Sequence, residues 1–109
     1  MKISALPKDA DALVAFAEST ATALAERQEC LGIGTEVEAP LRAAIAAATY
    51  ASDAYVAAWA HAEKSANARS FLAEAKRRRN RSLEQLRRRV TRSIRLLSRL
   101  GEVEVLLVH

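Results

Sequence analysis

The sequence predicts an all-α fold: an up-down-up three-helix bundle of long antiparallel helices, with a short strand-like C-terminal tail. Gly and Pro, which commonly interrupt regular structure, are absent from residues 41–100. Ala, the strongest helix former, supplies 24 of the 109 residues. Apolar residues recur at three- and four-residue steps in three segments, and the length fits one domain. The predicted helices span about residues 9–31, 35–63 and 68–100, and the tail spans residues 102–109.

The first predicted helix begins near Asp9, whose carboxylate can accept hydrogen bonds from the free amides of the first turn. Asp11 in that turn suits the positive end of the helix dipole. The apolar stripe of this helix comprises Leu13, Phe16, Ala17, Ala21 and Leu24. The helix is expected to end near Cys30 or Leu31, because Gly32 suits a left-handed C-terminal cap.

The second predicted helix begins after Thr35, which forms a capping box with Glu38, and Pro40 is expected to shift or distort its first turn. Its stripe comprises Val37, Leu41, Ile45, Ala48, Ser52, Tyr55 and Trp59. A polar segment with two possible caps, Ser65 and Asn67, predicts a short turn before the third helix. The alternative is a single bent helix over residues 35–100.

The third predicted helix ends at Gly101, and its stripe comprises Leu72, Ala75, Arg79, Leu83, Leu86, Val90, Ile94 and Leu97. We expect the stem of Arg79 to pack while its guanidinium reaches solvent. The alternative is a buried ion pair with Asp53 or Glu74. The β-branched tail indicates a short strand, paired with residues 2–5 or with another protomer, or else an apolar flap on the bundle end.

Charge is distributed very unevenly along the chain. Residues 76–99 contain eleven Lys or Arg and one acid, Glu84, whereas residues 1–75 contain six basic and ten acidic residues. On a helix of 3.6 residues per turn, six arginines share the face opposite the apolar stripe. These candidate polyanion-binding residues are Arg77, Arg81, Arg88, Arg92, Arg95 and Arg99.

Three interpretations of this arginine face remain open. The face is solvated or neutralised within the chain or between protomers, or it binds nucleic acid through phosphates without reading sequence, or it contacts anionic lipid or an acidic protein surface. The carboxylates expected beside Arg92, Arg95 and Arg99 are Glu26, Glu29, Glu36 and Glu38. Aromatic residues that would stack single-stranded bases are nearly missing from the third helix, which contains only Phe71.

The sequence contains no recognisable catalytic or metal-binding motif. It has no Gly-rich phosphate loop, no paired-Cys or Glu-x-x-His spacing, and its two histidines, His61 and His109, are isolated. We therefore predict no enzyme activity, no catalytic or metal-ligating residue, no cofactor and no small-molecule substrate. The least charged stretch, residues 43–62, contains Asp53 and eleven Ala, which argues against a membrane span.

The function predicted from these features is a non-enzymatic structural or adaptor bundle that self-associates. Ala-rich helices bury little apolar area, and small scaffolds commonly compensate by forming homo-oligomers. The candidate interface residues are Tyr55, Trp59, Val105 and Leu107. The alternative function is a nucleic-acid-binding accessory protein that uses the arginine face. The single Cys30 and the lack of an apolar signal-peptide core favour a cytoplasmic location.

The order of the Ala-rich helices, the turn at residues 31–34 and the Ala-Lys-Arg sequence at residues 75–77 also suggest a resemblance. Over roughly residues 5–95, the chain resembles small bacterial Ala-rich helical-bundle proteins of unknown function. The resemblance implies a helical bundle. It transfers no function and no site residue.

Overall fold

The computed structural model describes residues 6–31 and 37–99, which form a bundle of three α-helices. Helix α1 spans Ala10–Leu31, α2 spans Ala39–Ala62 and α3 spans Arg69–Arg99, with a 3-10 turn at Ala66–Ala68 before α3. Each helix contacts the other two, and the α2–α3 contact is the most extensive. The all-α three-helix prediction is confirmed. The predicted tail, with Val105 and Leu107, lies outside the described residues.

Helix α1 begins where the sequence predicts. The Asp9 carboxylate accepts a hydrogen bond of 3.0 Å from the backbone N–H of Ala12, which satisfies one free amide of the first turn. The proposed cap at Gly32 lies outside the described residues.

Helix α2 begins at Ala39, four residues later than predicted. Pro40 lies in the first turn, where its missing N–H removes no helical hydrogen bond. Glu38 is therefore the N-cap rather than the third residue of a capping box, and its side chain makes no capping hydrogen bond. The segment is held to α1 by a 2.8 Å hydrogen bond that the Val37 N–H donates to Gln28 Oε1.

Helices α2 and α3 are separate, as predicted, and the alternative of one bent helix is wrong. Glu63 and Lys64 form a turn, and Ser65 is extended with φ −147° and ψ 124° before the chain becomes helical again. The Ser65 side chain makes no capping hydrogen bond, although the residue occupies the N-cap position. This turn places α3 antiparallel beside α2.

The predicted apolar stripes of the three helices meet in one core. Its buried residues are Leu13, Ala17, Ala21, Leu24, Leu41, Ile45, Ala48, Leu86, Val90, Ile94 and Leu97. All of them lie in residues 6–31, 37–48 and 83–99, which we call the three-helix base. The remaining antiparallel pair, residues 49–82, is the two-helix extension.

Helix α1 is too short to cover the two-helix extension. Its 22 residues measure about 33 Å, whereas the 31 residues of α3 measure about 47 Å. The start of α1 is fixed beside the middle of α3, because the Arg87 guanidinium donates hydrogen bonds of 2.7 and 3.1 Å to the carbonyl oxygens of Pro7 and Lys8. From that point α1 runs along the three-helix base.

Candidate interaction surfaces

The arginine face predicted from the sequence lies on the outer side of α3. All six candidates are exposed: Arg77, Arg81, Arg88, Arg92, Arg95 and Arg99. Over 22 residues this face is about 33 Å long. It lies opposite the buried Leu86, Val90 and Leu97 of α3. Three of its members, Arg81, Arg88 and Arg92, also border grooves beside α2.

The ion pairs on α3 involve the first half of the arginine face and its neighbours. Glu74 lies 2.8 Å from Arg77 and 3.1 Å from Arg78, and Glu84 lies 3.7 Å from Arg88. Hydrogen bonds from Arg77 and then Arg78 lower the pKa of the Glu74 carboxyl below its ordinary value. These exposed pairs contribute little to stability.

The second half of the arginine face has no carboxylate partner among residues 6–31 and 37–99. No described carboxylate lies within 4.0 Å of Arg92, Arg95 or Arg99. The expected pairing with Glu26, Glu29 and Glu38 is therefore not formed, and Glu36 lies outside the described residues. Glu26 and Glu29 are exposed, while the half-buried Glu38 has an Oε2 atom with no hydrogen-bond partner.

A second surface lies on the extension, where the core stripe continues beyond the start of α1. The half-buried Tyr55 ring meets the Trp59 ring edge-on, with centroids 6.5 Å apart and planes at 85°. With Leu72 and Ala73 they line a groove of about 500 Å³ that includes no residue of α1. Trp59 keeps 48% of its surface exposed, a large value for an indole on a core stripe.

Arg79 lies at the junction of the base and the extension. Its guanidinium carbon lies 4.4 Å from the centroid of the Tyr55 ring, the geometry of a cation–π contact. Its Nε is buried and has no hydrogen-bond partner. The prediction that the guanidinium of Arg79 reaches solvent is therefore only partly correct. The alternative of an ion pair with Asp53 or Glu74 is wrong, because no carboxylate of the described residues lies within 4.0 Å of Arg79 and Glu74 pairs with Arg77 and Arg78.

A third surface was missed in the sequence because its two aromatic residues come from different helices. Tyr50 of α2 and Phe71 of α3 line one groove of about 680 Å³, together with Arg78 and Arg81. We call it the aromatic groove. To predict this groove, one would need to know which residues of α2 and α3 lie side by side. The polar segment before α3 does not determine that register.

Three further findings bear on function. Among the described residues, no group of three or more His, Cys, Asp or Glu side chains is arranged to hold a metal ion. No described helix is both long and apolar enough to cross a lipid bilayer. No protein-family model, curated protein or solved structure matches this chain.

Proposed function

We propose that this chain is a non-enzymatic structural or adaptor protein that self-associates through the apolar side of its two-helix extension. One observation carries the proposal: Tyr55, Trp59 and Leu72 continue the core stripe where α1 no longer covers it. Burial of such surface contributes about 25 cal/mol per Å², and aromatic residues are enriched at the centres of protein interfaces. A second copy would supply the missing cover.

The rim of the same groove supports a second copy as the occupant. Glu63, Arg69 and Lys76 border the groove and are exposed, so the rim contains both signs of charge. In a twofold dimer, each patch meets its own equivalent, and Glu63 of one copy can approach Arg69 or Lys76 of the other. Such rim pairs contribute mainly to the choice of partner.

Sedimentation velocity over a micromolar concentration series tests this proposal. We expect the native chain to associate with increasing concentration, and we expect Trp59→Ser to shift the equilibrium towards monomer by tenfold or more, in the range of interface hot spots. Val56→Ser is the matched control, because Val56 is 67% exposed on α2 and does not line the groove. A native chain that sediments as a well-folded monomer throughout would contradict the proposal.

A second candidate function, nucleic-acid binding, is favoured by the state of the arginine face. Arg81, Arg92, Arg95 and Arg99 are exposed and have no carboxylate within 4.0 Å in the described residues. A row of unpaired guanidinium groups can bind several phosphates and release their counterions, which makes affinity fall steeply as salt rises. Base identity is not read by such contacts.

The test of this candidate is the retention of DNA or RNA at about 50 mM salt. The double variant Arg88→Glu, Arg92→Glu is expected to abolish retention, because it reverses the charge in the middle of the arginine face. Arg42→Glu, Lys64→Glu is the control, since it changes net charge equally at exposed positions outside that face. Equal loss in both variants, or no retention by the native chain, would eliminate the candidate.

A further inference from the structure

Two aromatic rings are held in an exposed position at the aromatic groove. Tyr50 is 78% exposed and Phe71 is 70% exposed, so neither contributes much to the core. Both rings leave apolar surface in water, where burial would be favourable. Their exposure on one side of the extension marks this groove as a contact surface.

Of the two arginines that line the aromatic groove, one is free to bind an anionic ligand. Glu74 and Arg78 both line the groove, and they pair with each other at 3.1 Å. Arg81, on the same wall, is exposed and has no carboxylate within 4.0 Å among the described residues. The groove therefore combines two aromatic rings with an unpaired guanidinium group.

A second groove continues from the aromatic groove along the base. It has a volume of about 420 Å³, and Ala47 lines both grooves, so the two are adjacent. One wall is formed by small residues of α2, including Ala43, and the other by Arg88 and Arg92 of α3. From Arg81 to Arg92 the arginines extend over about 16 Å of helix.

This arrangement suits an unpaired strand better than a duplex. In a duplex the bases are stacked inside and cannot reach a protein ring, whereas a single strand offers a flat face on every base. Phosphates that follow the bases would meet Arg81, Arg88 and Arg92. The small side chains of α2 provide no donor or acceptor beyond the backbone, so contacts there carry no sequence information.

We propose that the aromatic groove and the adjoining arginines bind single-stranded nucleic acid without sequence preference, with bases stacked on Tyr50 and Phe71. The inference rests on the second candidate function, nucleic-acid binding, and restricts the ligand to single strands. An acidic helix is the main competitor for the same arginines. It is disfavoured because the alanine wall beside Arg88 and Arg92 offers little apolar depth for its side chains.

Fluorescence anisotropy with a labelled oligothymidylate, and with the same strand in a duplex, tests the inference. We expect the native chain to bind the single strand more tightly than the duplex at equal salt. Tyr50→Ala, Phe71→Ala should weaken single-strand binding by about tenfold or more, while the salt dependence stays unchanged because no phosphate contact is removed. Tyr50→Trp, Phe71→Trp should retain binding, since both positions keep a ring for stacking.

The controls separate this inference from nucleic-acid binding in general. Val56→Ala removes exposed apolar surface of α2 outside both grooves and should leave affinity unchanged. If single strand and duplex bind equally and the ring variants bind as the native chain does, this inference is wrong while the second candidate stands. Competition by polyglutamate as effective as that by unlabelled strand would assign the surface to an acidic protein. Failure of the native chain to bind either strand form rejects both proposals.

Discussion

The three-helix base and the two-helix extension share helices α2 and α3 but differ in how the apolar stripes of these helices are covered. In the base, three stripes meet and bury eleven apolar residues in one cluster. In the extension, the buried apolar residues are only Ala51 and Ala68, while Tyr55 and Leu72 are half-buried. The difference follows from the length of α1. Without α1, the apolar stripes of α2 and α3 are covered only where these two helices contact each other.

The distribution of aromatic residues gives this difference a functional meaning. Four of the five aromatic residues lie in the extension: Tyr50, Tyr55, Trp59 and Phe71. The base has only Phe16 and is packed mainly with Leu and Ala. None of these four rings is fully buried by the described residues, which is typical of residues that serve contacts with other molecules.

The largest expected effect is the removal of a side chain from the core of the base. Leu86→Ala should lower the free energy of unfolding by about 2–5 kcal/mol, because Leu86 is fully buried and its loss leaves a cavity. Leu72→Ala, the matched change in the extension, should cost less than half as much, because Leu72 is only half-buried. Urea denaturation followed by circular dichroism at low protein concentration measures both, and equal costs would contradict the division into base and extension.

The next largest effect is expected for two arginines of α3, one on each side of the boundary between the base and the extension. Arg87→Met should lower the free energy of unfolding by about 1–2 kcal/mol, because it removes two hydrogen bonds to the carbonyls of Pro7 and Lys8. The free energy of unfolding of Arg79→Met should stay within about 1 kcal/mol of that of the native chain. The lost cation–π contact is offset, because the substitution also removes a buried Nε that has no hydrogen-bond partner. The same denaturation experiment would reject the comparison if Arg79 proved the more costly residue.

Helix starts give a smaller contrast of the same kind. Asp9→Ala should lower the free energy of unfolding by about 1 kcal/mol, because it removes the N-terminal cap of α1 in the base. Ser65→Ala in the extension should change stability by less than about 0.5 kcal/mol, because the Ser65 side chain makes no capping hydrogen bond. Thermal unfolding profiles of the two variants, recorded at one protein concentration, provide the check.

The smallest expected effect is electrostatic and lies in the extension. The pKa of Glu74 should be below its ordinary value, as measured by NMR titration of the side-chain carboxyl, because Arg77 and then Arg78 donate hydrogen bonds to it. A lowered pKa means that the stabilisation is fully present above the ordinary pKa and is lost as pH falls through the lowered one. Arg77→Gln, Arg78→Gln should return the pKa to its ordinary range, and an unchanged pKa would exclude this cause.

Sequence periodicity was sufficient for the number of helices, their apolar stripes and the exposure of the arginine face. These features depend on which side of a helix a residue occupies, which the 3.6-residue period determines. The predicted start of α2 is wrong because the preference of Pro40 for a first turn outweighs the capping-box pattern at Thr35 and Glu38. Local patterns compete at helix ends, where boundaries are least determined by sequence.

Relations between helices could not be predicted in the same way. The position of Tyr50 and Phe71 on one groove depends on the register set by the turn at residues 63–65. The lack of α1 beside the extension depends on where Arg87 fixes the start of α1. The expected pairing of Glu26 and Glu29 with the arginine face failed for a related reason. That pairing also depends on how α1 is placed against α3, and both carboxylates are exposed.

Native-state hydrogen exchange along α3 tests most directly whether the extension is the uncovered, associating part of the molecule. At low protein concentration, we predict faster amide exchange in residues 69–82 than in residues 86–97 of the same helix. Raising the concentration should slow exchange in the first segment and leave the second unchanged, because association covers the extension alone. Uniform exchange along α3, or a concentration effect confined to the base, would contradict the account.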